Sequence, residues 1–473
     1  MGASSQLSYW FRRSVIALCA WSVPFSALAA PRAQEFDTVQ RTVNERTGKR
    51  VQWNRGAQED AEIERNVQAL LKKPLTADSA VQLALLNSRT LQATYQELGI
   101  AQADLVEGGL LKNPTFTAEV RFPGRPGLPL EFDVAKEFIE LLLLPMRKKV
   151  ARAQFDAARG RVTHEVLKHA AEVREAFFEH QADEQMFEMR ESVIAATAAS
   201  ADATRRIHEA GNITNLALAN ELALHQRAKL DLAQAQADAM ASREKLSALM
   251  GVWGAQTKWK IERRLPELPA GDGPLGGLES IAVTRRMDLA AQRSELEAQA
   301  RGFGFARLEA IFPEINLTGH FEREPEGTET LGPSIDIPVP IFNQGGAAVQ
   351  RARAKMRQAE QRYMADAVQI RSEVRAARDR MLIARNRATY YRATLLPLRH
   401  RITEETQLHY NAMQLGVAEL LLAKQEEIDA GREYIEALRD YWVARAALEK
   451  AIGGRLGAIS KTEVRSDQSG FKK

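Results

Sequence analysis

The residue types that most often do chemistry are present, but their spacing keeps them apart. Eight histidines invite a search for a metal centre, and a helix that holds one presents two of them at i, i+4 on a single face. No pair has that spacing; His164 and His169 are five apart and fall on different faces, as solvated helix residues do. Met186 and Met189 share a face, yet two methionines at helical spacing are an ordinary packing pair. The one cysteine, Cys19, has no partner for a disulfide. Nothing matches a phosphate loop, a G-x-S-x-G turn or a nucleophile–His–acid set. The residues therefore give no catalytic group, no cofactor site and no metal site. An energy-driven transporter needs an ATP site or carboxylates inside the membrane, so any transport role here is that of a passive conduit.

The elements that surround these residues explain the pattern better. Charged residues make up 27% and aromatic ones 7%, a balance that suits long solvated helices more than a compact enzyme. Residues 1–29 have the parts of a secretory signal: Arg12-Arg13, the apolar run SVIALCAWSVPFSA, then Ala27-Leu28-Ala29 as a small-x-small cleavage site. Export would leave Ala30 as the new N-terminus and lower the formal charge from +4 to +2 as the two arginines depart. So mixed a charge pattern carries no nucleic-acid footprint. Lipidation at Cys19 is the alternative, but bulky Leu18 precedes it, and five residues after the arginines is too short a core. No later segment supplies the roughly 20 apolar residues of a spanning helix; FIELLLLPM (138–146) is short and holds a glutamate and a proline. A membrane would have to be crossed by strands.

The chain is also written twice. Pro114 and Phe122 return as Pro313 and Phe321, and Val150 and Ala153 as Val349 and Ala352; Thr204, His208 and Gly251 return as Thr406, Tyr410 and Gly453. So long a period signals duplication of a whole subdomain rather than a solenoid unit. An N-terminal polar segment, 30–74, precedes repeat 1 (75–262) and repeat 2 (263–453), and a tail, 454–473, follows; for 30–74 and the tail, disorder and packing around the helices both stay open. Each repeat begins with two helices (76–87 and about 90–111; 277–286 and 289–311). Strands then follow at 115–122 and 130–140, and at 314–323 and 331–342. A long helical hairpin closes each, 146–250 with a break at Gly211-Asn212, and 346–452 with a break at Leu415-Gly416. Pro397 predicts a kink without counterpart in the first hairpin. A helix of this length cannot fold against a single core. Leu421, Ile428, Ile435 and Trp442, beside Tyr434, Tyr441 and Leu448, offer a seven-spaced stripe for helices on both sides.

The strands carry the strongest constraint. In EINLTGHFER (314–323), Ile315, Leu317, Gly319 and Phe321 alternate with Asn316, Thr318, His320 and Glu322. Phe116 and Val120, Phe132 and Val134, and Ile335 and Ile337 repeat the pattern, so the apolar set would face lipid and His320 a lumen. Pro338 and Pro340 remove ladder donors near the end of the fourth strand. Four strands cannot close a barrel, since the smallest membrane barrels have eight and an open edge in lipid leaves backbone groups unpaired. Two chains would give a side-chain-filled barrel and three a barrel wide enough for a channel.

This order of strand pair and long helical hairpin, given twice, together with YNAMQLGVAELLLAKQEEIDAGREYIEALRDYWVARAALEKAIG (410–453), resembles the TolC family of outer membrane efflux proteins over nearly all of 75–453. The resemblance implies a mainly α fold with a small membrane β part. It implies a homotrimer in which twelve strands form one β-barrel and twelve helices an α-helical periplasmic tunnel. It further implies a periplasmic adaptor (membrane fusion) protein and an inner-membrane pump of the resistance-nodulation-division type. By position, Ala210, Gly211 and Asn212, and Gln414, Leu415 and Gly416, match the family's adaptor-docking turns, although glycines that merely permit a tight turn account for Gly211 and Gly416 as well. Glu419 matches a gate carboxylate; three copies would make an acidic ring. A solvated helix glutamate is the plainer account of it, and the family's second carboxylate position is Leu422 here. A type I protein secretion channel and a soluble periplasmic coiled-coil adaptor are the alternatives, and the cargo stays open between metal ion, drug, other small molecule and protein.

Overall fold

The computed structural model describes residues 33–120, 130–137, 139–311, 315–324 and 327–458, apart from 55 and 57. The expected signal segment and most of the tail lie outside the described residues. Residues up to Thr38 form a unit apart from Val39–Lys473, and its described part is the start of helix α1 (Ala33–Thr47). Helix α2 (Gln58–Leu71) follows. The segment between them is packed rather than loose: Val51 and Trp53 are buried. Gln82 bonds both backbone groups of Arg50, and Gln92 bonds the N–H of Asn54 and the carbonyl of Gln52.

Elements then run in the same order in each half. Helices α3 (Ala77–Asn87) and α4 (Arg89–Glu107) lead into strands β1 (Thr115–Val120) and β2 (Leu130–Glu137). A hairpin of α5 (Ile139–Glu209) and α6 (Asn215–Met250) completes the first half. In the second half α7 (Leu278–Arg285) and α8 (Met287–Ile311) lead into β3 (Asn316–Arg323) and β4 (Glu329–Asp336). Its hairpin is α9 (Gly346–Tyr390), α10 (Leu396–Asn411) and α11 (Val417–Ala451). Helix α6 ends on Gly251 at φ 69° and α11 runs out at Gly453 at φ 73°. These are matched left-handed stops that a side chain would strain.

Among the boundaries that differ from the expectation, three have a clear local reason. Strand β4 stops at Asp336 instead of 342, because Pro338 and Pro340 lack the donors that would continue the ladder. Strand β2 stops at Glu137 instead of 140, and α5 begins at Ile139, so Pro145 falls inside the helix instead of before it. Glu140 explains the early start: its buried carboxylate accepts from the Lys112 backbone N–H, Lys136 Nζ and Arg147, each at 3.0 Å. Where Pro397 predicts a kink, the backbone takes a π turn. Tyr391–Leu395 is a π turn, with the N–H of Leu396 reaching the Tyr391 carbonyl, and Pro397 sits at the start of α10. A five-residue bond absorbs the donor the proline lacks.

Helix α5 spans 71 residues, about 105 Å at 1.5 Å per residue, and packs along α6, α8 and α11. The seam on α11 is tighter than the large residues suggested. Ile435, Tyr441 and Leu448 are buried, but Leu421, Ile428 and Trp442 are only half-buried, and the closest seven-spaced row is Ala423, Ala430 and Ala437. Small side chains let helix axes approach, and α6 repeats the device with Ala228, Ala235 and Ala239. Leu278, Ile281 and Leu289 pack on Ile370, Val374, Met381, Tyr441 and Leu448 as one apolar core. The segment joining the halves is pinned to the helices. Gln181 donates to the carbonyls of Glu262 and Arg264, and the nearly enclosed carboxylate of Asp272 accepts from Arg385, Arg445 and Tyr441 Oη.

Candidate functional site

The four strands form one antiparallel sheet in the order β1-β2-β3-β4. Its middle pair, β2 and β3, joins the two halves of the chain, with Phe132 opposite Phe321 and Asp133 opposite His320. Register and pleat sort the side chains into two faces. On one face Phe116, Phe132 and Phe321 form a stacked ladder with ring centroids 6.1 Å apart at each step. Val120, Val134, Leu317, Leu331 and Ile335 continue that face, and it is open: Phe116 is 65% exposed and Leu331 81%. Ile315 and Ile337 share its parity just beyond the ends of β3 and β4. A large open apolar face needs a cover, and no other element of the described chain supplies it. β1 and β4 are edges.

The opposite face is polar. Thr117, Asp133 and His320 stand in one cross-strand row, and Glu119, Glu131 and Glu322 in the next. His320 Nδ1 lies 2.6 Å from Asp133 Oδ1 and 3.8 Å from Glu131 Oε1, while Nε2 lies 3.6 Å from Glu322. Below the sheet, burial opposes ionisation of Glu140, but its three donors win and hold its carboxyl down at about 2.

The helical turns at the far ends of the hairpins are built differently from each other. At the first, Gly211 has φ 78°, Asn212 N–H reaches the Ile207 carbonyl, and Thr214 Oγ1 caps α6 by accepting from Ala217. At the second, the left-handed position is Met413, at φ 57°, and Gln414 N–H reaches the His409 carbonyl. Met413 is the one non-glycine with positive φ among the described residues and is 95% exposed. Gly416 has an ordinary φ of −83°. The tight-turn account therefore holds for Gly211 and fails for Gly416, whose role passes to Met413. Glu419, in the first turn of α11, folds back over the helix N-terminus, since a Cβ at Gly416 would lie 2.9 Å from its Oε2. A carboxylate there is favoured by the helix dipole.

Comparison with known proteins shows what such a sheet and such hairpins resemble. Residues 278–454 match the family described as Outer membrane efflux protein. The chain resembles that family over this segment, most of its second half. It is 22% identical over 394 residues to the cobalt-zinc-cadmium resistance protein CzcC of Cupriavidus metallidurans, covering 80% of this chain and 90% of CzcC. It is 25% identical over 307 residues to the probable efflux pump outer membrane protein TtgC of Pseudomonas putida, covering 61% of this chain and 58% of TtgC. The crystal structure of the CmeC outer membrane channel of Campylobacter jejuni superposes with a TM-score of 0.71 at 17% identity, over 84% of this chain and 89% of CmeC.

The chain thus has the fold of these outer membrane channels. Three of its notable residues escaped sequence reasoning. Glu140 looked like strand and hydrophobic run, and only its neighbours 28 residues back and seven ahead mark it. Met413 carries no sequence signal for a left-handed backbone. The Asp133–His320 pair is 187 residues apart, so a search along the chain misses it; parity placed His320 on the polar face but named no partner.

Proposed function

We propose that three copies of this chain form an outer-membrane exit duct, closing one twelve-stranded barrel and gathering their hairpins into a periplasmic tunnel. Cargo enters from an inner-membrane pump of the resistance-nodulation-division type through an adaptor docked at Ala210–Asn212 and Gln414–Gly416. The duct has no catalytic turnover: it opens and closes at the helical tips, where Glu419 lines the entrance. One observation carries this reading, the four-stranded sheet whose apolar face is open and whose two outer edges have no partner among the described residues. In lipid each unpaired backbone group costs several kcal/mol, so neighbours must supply β4 to β1 and β1 to β4. Twelve strands leave a lumen, while eight would fill it. Light scattering of the purified protein in detergent is expected to give three chains per particle. A monomer that stays dispersed without detergent would sink the barrel and favour a soluble adaptor.

The cargo best supported is a divalent transition-metal ion. CzcC, named for cobalt, zinc and cadmium resistance, aligns over 90% of its length, against 58% for TtgC. Deleting this chain in its host is expected to raise sensitivity to those three ions. Unchanged metal tolerance with lost tolerance to organic toxicants would reject the metal cargo and leave the duct standing.

A further inference from the structure

We propose that Asp133, Glu131 and His320 form a divalent transition-metal site on the polar face of the sheet, with Glu322 orienting the imidazole. The three groups offer ligand atoms that all lie within 4.8 Å of one another. Metal–ligand distances of about 2.0–2.2 Å place tetrahedral donors roughly 3.4 Å apart. The Nδ1–Asp133 and Nδ1–Glu131 separations of 2.6 and 3.8 Å bracket that figure. Shifts of under an ångström, within reach of three side chains that are 24–31% exposed, would therefore complete the set.

The second feature is on the far side of the ring. Glu322 stands 3.6 Å from Nε2, placed to take that nitrogen's hydrogen after a small closure. That is the carboxylate–histidine arrangement that fixes a ligating imidazole's tautomer and leaves Nδ1 free for the ion. Without an ion, an Nδ1–H donates to Asp133; a cation would take that proton's place. The donor set decides the class. Imidazole with carboxylates suits zinc, cobalt or nickel, whereas calcium and magnesium prefer oxygen alone. Two carboxylates balance the two charges of the ion. The sheet fixes the backbone positions: Asp133 and His320 are direct cross-strand partners, and Glu131 is two residues along the same face. Partial exposure favours rapid exchange, as a site beside a conduction path requires.

The site stands on one chain's own geometry; only its position in the channel lumen rests on the barrel reading above. The test uses the full-length protein in detergent, titrated with Zn²⁺ by calorimetry, with Co²⁺ absorption as a second probe and particle mass measured alongside. One ion per chain is expected, with at least a tenfold loss of affinity in His320→Gln and in Asp133→Asn. Glu322→Gln is expected to lose about tenfold with stoichiometry unchanged. X-ray absorption at the zinc edge of the unaltered protein should count one imidazole, which keeps the test independent of any variant's folding. Absence of binding, an ion with no imidazole, or affinity equal to the parent in both His320→Gln and Asp133→Asn would overturn the site. Because particle mass is read separately, an intact trimer that binds no zinc rejects the site alone, whereas a monomer rejects the barrel.

Discussion

Glu140 shows how much one residue at a junction can decide. Its carboxylate is fully enclosed between a backbone N–H, Lys136 and Arg147, and it holds the end of β2 to the start of α5. Glu140→Gln is expected to cost about 2 kcal/mol, the worth of a hydrogen bond to a charged group, read as a drop in melting temperature at pH 7. The same residue gives a pH dependence. Its carboxyl is held at about 2 in the folded chain and titrates near the ordinary carboxylate value when unfolded. The stabilisation is thus full above that ordinary value and is lost as pH falls towards 2. Melting curves from pH 7 to pH 3 should therefore fall less steeply for Glu140→Gln than for the parent. On the sheet, Leu317→Arg or Phe321→Arg is expected to cost roughly 2–4 kcal/mol at the bilayer midplane, while Thr318→Arg on the polar face is tolerated. Equal losses on both faces in urea-unfolding series would refute the sidedness.

Element geometry decides how the hairpins turn and bend. The left-handed positions are Gly211 in the first turn and Met413 in the second, so substitutions should answer to backbone angle, not to residue name. Gly211→Ala is expected to destabilise by about 1–2 kcal/mol, Met413→Gly to stabilise by up to about 1 kcal/mol, and Gly416→Ala to be near neutral. Thermal melts of the three variants side by side check the order. Restoring a donor with Pro397→Ala should let the π turn at 391–395 relax into regular helix. Amide exchange over that turn is expected to slow; unchanged exchange would mean that the neighbouring helices, not the proline, impose it.

For the whole molecule, the proposed assembly has an electrostatic consequence. Three Glu419 carboxylates around an axis would favour cations over anions at the entrance. In planar bilayers, Glu419→Gln is expected to shift the reversal potential under a salt gradient towards zero. The second carboxylate position of the family is Leu422, which is exposed here, so Glu419 would carry that preference alone among the two. A reversal potential unmoved by Glu419→Gln would assign selectivity to the barrel, whose polar face carries its own carboxylates.

Much of the architecture was legible in the chain because it is written in periods. Alternation at two residues marked the strands and their faces, glycine and proline marked the turns, and the double copy set the order of elements. The count of four strands is what the proposed assembly rests on, since a backbone ladder in lipid has to close. Tertiary structure alone decided what depends on distance across the chain. It placed His320 against Asp133 and packed 39–54 onto α3 and α4. It also pulled α5 back to Ile139 around Glu140, and moved the strained turn position from Gly416 to Met413. Across the chain the deciding energy comes from a partner that local sequence does not contain, such as a carboxylate one strand over; at the Met413 turn it comes from the His409 carbonyl, whose hydrogen bond with Gln414 N–H offsets the cost of a left-handed residue.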